Sequence, residues 1–391
     1  MNIIILTSQS FNPYFENRMQ LSRLADEGFE VKVFDLSLIM MRDAVRSGYS
    51  PKDKRVAIFN IKNRKSLKLM LKKYKKKVVV IDYANQDSLI RHMINKLNIK
   101  IIRIQGGGVP TTYPANSDMD RSINHISLSH FCLKFNNLLN APPAYLFNAL
   151  KRKFFLRIYK PYIDTLILAG DGFLKNEQMY INSNTKVIKA HNFDFDIFKS
   201  VESNGEQFED NLVFIDAMVT SHPDLTMQNL RYKNPEIYFE RLRHFFDKVE
   251  DVTNLKVVIA LHPRNYSALN SSDFGDRGVF LGRTAELIKK SRGIITHHSN
   301  SVNFAILFNK PILFIADKDL ISLIPEMIIM HKWFNQKPIM IDRELNSSDI
   351  YNNMMIDIKT REEYSKNFII CNDTNKDMTL IDLLIHELKG L

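Results

Sequence analysis

The stretch NLVFIDAMVTSHPDL, residues 211–225, decides how the chain is read. Its apolar run 212–215 has the length and β-branched content of a buried strand, and the run stops at an acid, Asp216. An acid at a strand's carboxyl end has two readings: it closes the turn that leaves the sheet, or it is held in a site there. A His-Pro-Asp follows within ten residues, in a polar loop.

Working outward from this run, the same alternation extends in both directions. Residues 2–6, 15–27 and 29–34 read as strand, helix and strand, and RVAIFNI, KVVVIDY, KIIRIQGGG and TLILAGDG continue the series. KVIKAHNFDFDIF closes this half, and KSVESNGEQFEDN (199–211) has the polar, Gly-containing composition of a linker. A second series follows: NLVFID, a helix over 235–250, KVVIALHPR, GVFLG, a helix over 284–291, GIITHHS, a helix over 300–308 and KPILFIA. Short β-rich runs alternating with helices make parallel sheets covered on both faces. The expectation is an α/β chain of GT-B architecture: two Rossmann-like doubly wound domains, 1–200 and 201–391, facing a central cleft. The final helix, 376–391, is a candidate to pack back on the N-terminal domain.

Composition sets outer limits. The 391 residues exceed one ordinary core, and 45% hydrophobic with 25% charged content suits a globular chain rather than a disordered one. Two cysteines, Cys132 and Cys371, have no metal-ligand spacing, which favours a reducing compartment. No run approaches the roughly 18 apolar residues that span a bilayer, and the N-terminus lacks a signal peptide's basic start. Lys plus Arg exceed Asp plus Glu by 54 to 43. The excess gathers in KNRKSLKLMLKKYKKK (62–77) and LFNALKRKFFLRIYKPY (146–162), where cations interleave with apolar side chains. Such stretches suit an anionic membrane surface; a solvated helix face whose lysine stems cover apolar neighbours is the plainer account of the first. No nucleic-acid motif accompanies the charge, so no nucleic-acid partner is expected.

The chemistry-bearing positions gather at predicted strand ends of the second half. His262 and Arg264 leave a buried strand with Pro263 fixing the turn between them. Ser299, Asn300 and Ser301 follow another strand and open a helix, where hydroxyls cap free N–H groups or meet a phosphate. In the first half, Gln105, Gly106 and Gly107 end a strand in a glycine-rich loop that suits an acceptor or a flexible turn. The pairs DFD (194–196) and DMD (118–120) match a metal-binding pattern of other sugar transferases only in three residues, and no metal is expected. His297 beside His298 is not a ligand pair, because neighbours at a strand end point apart; lining a cleft or capping is expected of them.

The strand-ending HP followed by a Ser-rich turn resembles the CMP-sugar half of bacterial sialyltransferases, polysialyltransferases and Kdo (3-deoxy-D-manno-octulosonic acid) transferases. That resemblance gives His262 and Pro263 the HP role and Ser299 and Ser301 the hydroxyl role on the nucleotide phosphate, although Asn300 here separates the hydroxyls. AGDGFLKN (169–176) resembles the acidic motif of these families at Asp171 and Gly172, with Gly170 where the first acid stands. FIDAMVTSHPD looks like the segment of retaining β-Kdo transferases in which a carboxylate is the nucleophile. The resemblance implies a transferase moving Kdo from CMP-β-Kdo to a growing surface polysaccharide (O-antigen or capsule) on a lipid carrier. Retention through an Asp216 adduct is the first expectation, with Asp171 and His262 also catalytic and no cofactor beyond the donor. Arg264, Arg103 or Lys310 would bind the donor carboxylate, and His222 and Asp224 would line the acceptor side. The expected location is cytoplasmic, peripheral on the inner face of the bacterial inner membrane. Alternatives are an inverting sialic or nonulosonic acid transferase, a UDP-sugar 2-epimerase or transferase, and a non-catalytic membrane-associated module that binds polyanions.

Overall fold

Ile3, Ile4, Ile5 and Leu6 are buried in β1 (Asn2–Thr7), a central strand of a parallel sheet. The computed structural model describes residues 1–40, 48–75, 77–83, 88–110, 158–202, 209–221, 232–263, 265, 272–324 and 327–391. The chain divides into two units: Met1–Gly106, Ala141–Phe193 and Ile370–Leu391 form one, and Gly107–Asn140 and Asp194–Ile369 form the other.

In the first unit, β1 is joined by β2 (Glu30–Asp35), β3 (Ala57–Asn60), β4 (Val78–Asp82), β5 (Lys100–Gln105), β6 (Thr165–Ala169) and β7 (Lys186–Ala190). Their order is β3-β2-β1-β4-β5-β6-β7 and every pairing is parallel, with Ile5 beside Val33 and Ile81. The helix read over 15–27 is two helices, Pro13–Arg18 and Leu21–Asp26, because Gln20 takes a left-handed φ of 46°. The break lets Met19, Leu21 and Leu24 all reach the core fully buried. Helix Leu380–Lys389 starts in a capping box of Thr379 and Asp382, and packs Leu380, Ile381, Leu384 and Leu388 into this unit's core.

In the second unit, β8 (Asn211–Ile215), β9 (Lys256–Leu261), β10 (Val279–Leu281), β11 (Gly293–Thr296), β12 (Ile312–Ala316) and β13 (Ile339–Met340) form a parallel sheet ordered β10-β9-β8-β11-β12-β13. β13 had no counterpart in the sequence reading; two residues carry too little periodicity to announce a strand. β8 and β12 are buried along their whole length, as strands covered on both faces must be. Both sheets therefore have the Rossmann order, the first with an added edge strand. In each, the strand order reverses beside the first strand, between β1 and β4 and between β8 and β11. Ligands of doubly wound sheets bind outside the carboxyl ends at such a reversal.

Candidate functional site

The carboxyl edge of the second sheet holds Asp216 after β8, His262 after β9 and His297 after β11, on three adjacent strands. Asp216 is 7% exposed. Its Oδ1 accepts the Met218 N–H at 2.7 Å, and its Oδ2 accepts Asn265 Nδ2 at 2.9 Å and the His262 N–H at 3.4 Å. Asn265 N–H in turn donates to the His262 carbonyl at 2.8 Å, closing a turn through Pro263. Both carboxylate oxygens are thus engaged in shaping two loops. Burial pushes the Asp216 pKa up, and the donors from Asn265, Met218 and His262 oppose the shift. Met218 pays for its place with a left-handed φ of 53°.

Among the described residues, Asp216 is one of four buried aspartates at strand ends. Asp35, the last residue of β2, accepts from Phe11 N and Ser37 N at 2.9 Å each. Asp82 of β4 accepts from Arg91 Nε at 2.7 Å. Asp317 after β12 accepts from Asp319 N–H at 2.8 Å, Tyr232 O–H at 2.9 Å and Arg241 at 3.2 Å. A carboxylate with four lone-pair sites is a compact way to satisfy N–H groups where a strand leaves the sheet. The recurring ending in EVKVFD, VVVID, NLVFID and ILFIAD was legible as this device and was missed.

His262 and Pro263 are half-buried beside that anchor. Ser299 Oγ accepts the Ser301 N–H at 3.2 Å, and helix Val302–Leu307 follows. Ser301 makes no side-chain capping bond, so the cap expected of it falls to Ser299, within the turn. Half-buried Ser299 and Ser301 and exposed Asn300 follow the carboxyl end of β11, while His262 follows β9 and β8 lies between them.

His297 lines nothing: it has no exposed surface. Its Nδ1 sits 3.0 Å from the Ile315 carbonyl, which can only accept, so Nδ1 carries the proton and Nε2 accepts the Tyr238 O–H at 2.8 Å. His331 Nε2–H donates to the His297 carbonyl at 2.8 Å. Burial lowers both imidazole pKa values to about 4 and raises that of Tyr238. This buried layer braces the end of β11 from beneath; neither histidine was expected in that role.

Two cations proposed for the donor carboxylate have other work. Buried Arg103 donates to Glu177 at 2.9 Å, to the Asp82 carbonyl at 3.0 Å and to Gln105 Oε1 at 3.0 Å. Lys310 Nζ, 9% exposed, donates to the Ser291 carbonyl at 2.7 Å. Asp194 of the DFD pair accepts from Asn303 Nδ2 at 2.7 Å inside the second unit. Arg264, His222, Asp224, the DMD pair and residues 146–157 of the second basic stretch lie outside the described residues.

In the first unit, Asp171 follows β6 and Gly170, whose φ of 99° suits glycine. Half-buried, it lies 3.9 Å from Lys189 Nζ. The Cys371 thiol, bonded to Gly170 N and the Leu168 carbonyl at 3.1 Å each, has its pKa raised to about 11, chiefly by burial and in part by Asp171. Gly106 touches the Phe193 ring so closely that a Cβ would stand 2.4 Å from it. Arg18 lies over that ring at 4.7 Å and bonds the Tyr14 hydroxyl at 2.6 Å. Tyr14 and Arg18 share helix Pro13–Arg18, and the cluster was missed because only the fold brings Phe193 to them. Gly107 has a φ of 123°.

No family matches the sequence, and no curated protein matches it. Among solved structures, the chain is similar to the wall teichoic acid polymerase TagF. A histidine-to-alanine variant superposes with a TM-score of 0.54 at 12% identity, covering 100% of this chain and 89% of that one. The fold is GT-B. A TagF variant soaked with CDPG gives 0.52 at 12% identity and the same coverage. UDP-GlcNAc 2-epimerase from Methanocaldococcus jannaschii gives 0.47 at 13% identity, covering all of both chains. The TagF superpositions speak for the GT-B architecture and, at 12% identity, leave the chemistry to the residues.

Proposed function

We propose that this chain is a glycosyltransferase that takes a sugar from a cytidine nucleotide, with a CMP-activated 2-keto sugar acid such as Kdo as donor. The observation that carries the reading is the His262 turn after β9, tied through Asn265 to Asp216, which follows β8 at the strand-order reversal of the second sheet. In this reading His262 donates to a nucleotide phosphate, with Ser299 and Ser301, which follow β11, as hydroxyl donors. The expectation of an attacking Asp216 fits this geometry poorly, since three donors hold its oxygens and little of it is exposed. Asp216 is a positioning residue in this reading. Transfer with inversion, which needs one general base, then suits the site better than retention. Asp171, half-buried at a carboxyl strand end of the first unit, is the carboxylate suited to that task.

The acceptor in this reading is a surface polysaccharide on a lipid carrier. Helix Arg64–Tyr74 supports a place at an anionic bilayer: it buries Leu67 and Leu71 and exposes Lys65, Lys68, Lys72 and Lys73, with Leu69 61% exposed among them. Among the described residues, no helix is long and apolar enough to cross a membrane.

The deciding experiment is a thermal-shift comparison of CMP with UMP, GMP and UDP. A ligand at about 100 Kd stabilises by roughly 2.7 kcal/mol, so CMP should raise Tm most. Equal shifts from all four would remove the cytidine reading. A CDP-linked donor is the second reading, favoured by the fold shared with the CDPG-soaked TagF; a larger shift from CDP than from CMP would select it.

A further inference from the structure

At the opposite edge of the second sheet, where β13 begins, a groove of about 550 Å³ opens between the loop after helix Met327–Trp333 and the end of helix Ser347–Met354. That size lies within the range of small-molecule sites. Its polar walls are Asn335, Gln336, Asn352 and Asn353, with one cation, Lys337, and one anion, Asp357. Phe334 and Ile356, both buried, and Met355, 72% exposed, supply apolar surface.

Three features point to a ligand. The Oε1 of Gln336 is buried without a hydrogen-bond partner, while its Nε2 donates to the Met355 carbonyl at 3.2 Å. An unpaired acceptor costs about 1–3 kcal/mol, and a turn of the Gln336 side chain towards the groove would let a ligand hydroxyl recover it. The exposed amides of Asn335 and Asn352 make no side-chain bond among the described residues. Among the described residues of this unit, the most exposed large hydrophobic side chains, Tyr351, Met355 and Ile358, fall within residues 351–358, and Met355 lines the groove.

We propose that this groove binds an uncharged, hydroxyl-rich saccharide, as a second sugar site away from the carboxyl edge that carries His262. Carboxamides both donate and accept, so they match hydroxyls of either sense, and apolar side chains suit the C–H face of a sugar ring. Lys337 and Asp357 cancel, and the Asp357 carboxylate is already engaged by Thr360 N–H and Oγ1 at 2.9 and 2.6 Å. The groove therefore offers a polyanion or a polycation no net attraction. A site of this kind would hold a distal segment of a growing polymer. The inference rests on the transfer reading only for that identity of the ligand; sugar binding itself stands apart from it.

The test is saturation-transfer NMR on the full chain with maltopentaose, N-acetylglucosamine tetramer and a sulfated heparin disaccharide, for the native protein and Asn335→Ala/Asn352→Ala. Both positions are exposed, so the variant should fold. At least one neutral oligosaccharide should bind with a Kd of about 1 mM or tighter, and the double variant should weaken it about tenfold. No transfer to either neutral sugar, binding unchanged in the variant, or tighter binding of the sulfated sugar would each overturn the proposal. The CMP melting shift, measured in parallel on the same samples, tests the transfer reading separately.

Discussion

Asn265 Nδ2 donates to Asp216 Oδ2 at 2.9 Å, tying the loop after β9 to the end of β8. This bond makes the HP turn a built feature of the sheet edge. Its removal should disturb nucleotide binding through shape, leaving the imidazole present but misplaced.

Asp216→Ala should therefore cost stability as well as the CMP response. It strips an acceptor from the Met218 and His262 N–H groups and from Asn265, at roughly 1–3 kcal/mol for each buried donor left unpaired. His262→Ala should keep Tm nearly native and lose the CMP shift. Intact-protein mass spectrometry with donor present should detect no sugar adduct on native protein. A covalent adduct lost in Asp216→Asn would return the attacking role to Asp216 and restore the retaining mechanism.

Asp171→Asn should leave the CMP melting shift in place and reduce transfer by a factor of 100 to 10,000, the usual contribution of a general base, at about 10²–10⁴-fold. The readout is kcat, with KM for donor unchanged. Transfer at the native rate would exclude Asp171 as the base.

Acid should weaken the second unit through His297 and His331. Their pKa values, lowered from 6.5 to about 4 in the fold, return to about 6.5 on unfolding, so the unfolded chain binds more protons between those values. Their contribution is whole above about pH 6.5 and drains as pH falls towards 4, by up to roughly 3 kcal/mol for each histidine. Denaturation midpoints measured from pH 8 to 4 should fall in that window. In His331→Phe the acid loss should be about half as steep, at the expense of the bond to the His297 carbonyl. An unchanged slope would show that His331 is not a source of the acid loss.

Gly106→Ala should destabilise the first unit by about 1–3 kcal/mol, because the new methyl meets the Phe193 ring at 2.4 Å. Gly106→Ala/Phe193→Leu should recover much of that loss in urea midpoints. A single variant as stable as native would mean that the ring yields without strain.

Charge reversal at Lys65, Lys68 and Lys72, which make no ion pair among the described residues, should abolish sedimentation with phosphatidylserine vesicles while the Tm holds. Each cation near an anionic surface contributes about 1 kcal/mol, roughly fivefold in affinity. Vesicle binding that survives would reduce this helix to a solvated face.

Much of the architecture was written in the alternation of short apolar runs with helices. Each run from RVAIFNI to KPILFIA forms a strand, and NLVFID starts the second sheet. Period and β-branched content survive any packing, because a strand covered on both faces must be apolar throughout. The helix over 15–27 was harder to read, since its break at Gln20 depends on one backbone angle that no side-chain pattern encodes. The run KVIKAHNFDFDIF, taken as one closing element, divides between the units at Phe193 and Asp194.

Sequence alone determined the α/β class, the succession of strands as far as β12 and the emergence of Asp216 and His262 at strand ends. Tertiary structure decided what those residues do there. A strand-ending acid looks the same in NLVFID whether it faces a substrate or three N–H donors, because its partners lie up to 49 positions away in the chain. Only the pairing of β8 with β9 brings Asn265 to Asp216, and only the burial of His297 against Tyr238 and Ile315 removes it from the site. Local pattern fixes which face or end a residue occupies; the hydrogen-bond partners of a buried polar group are fixed by long-range packing.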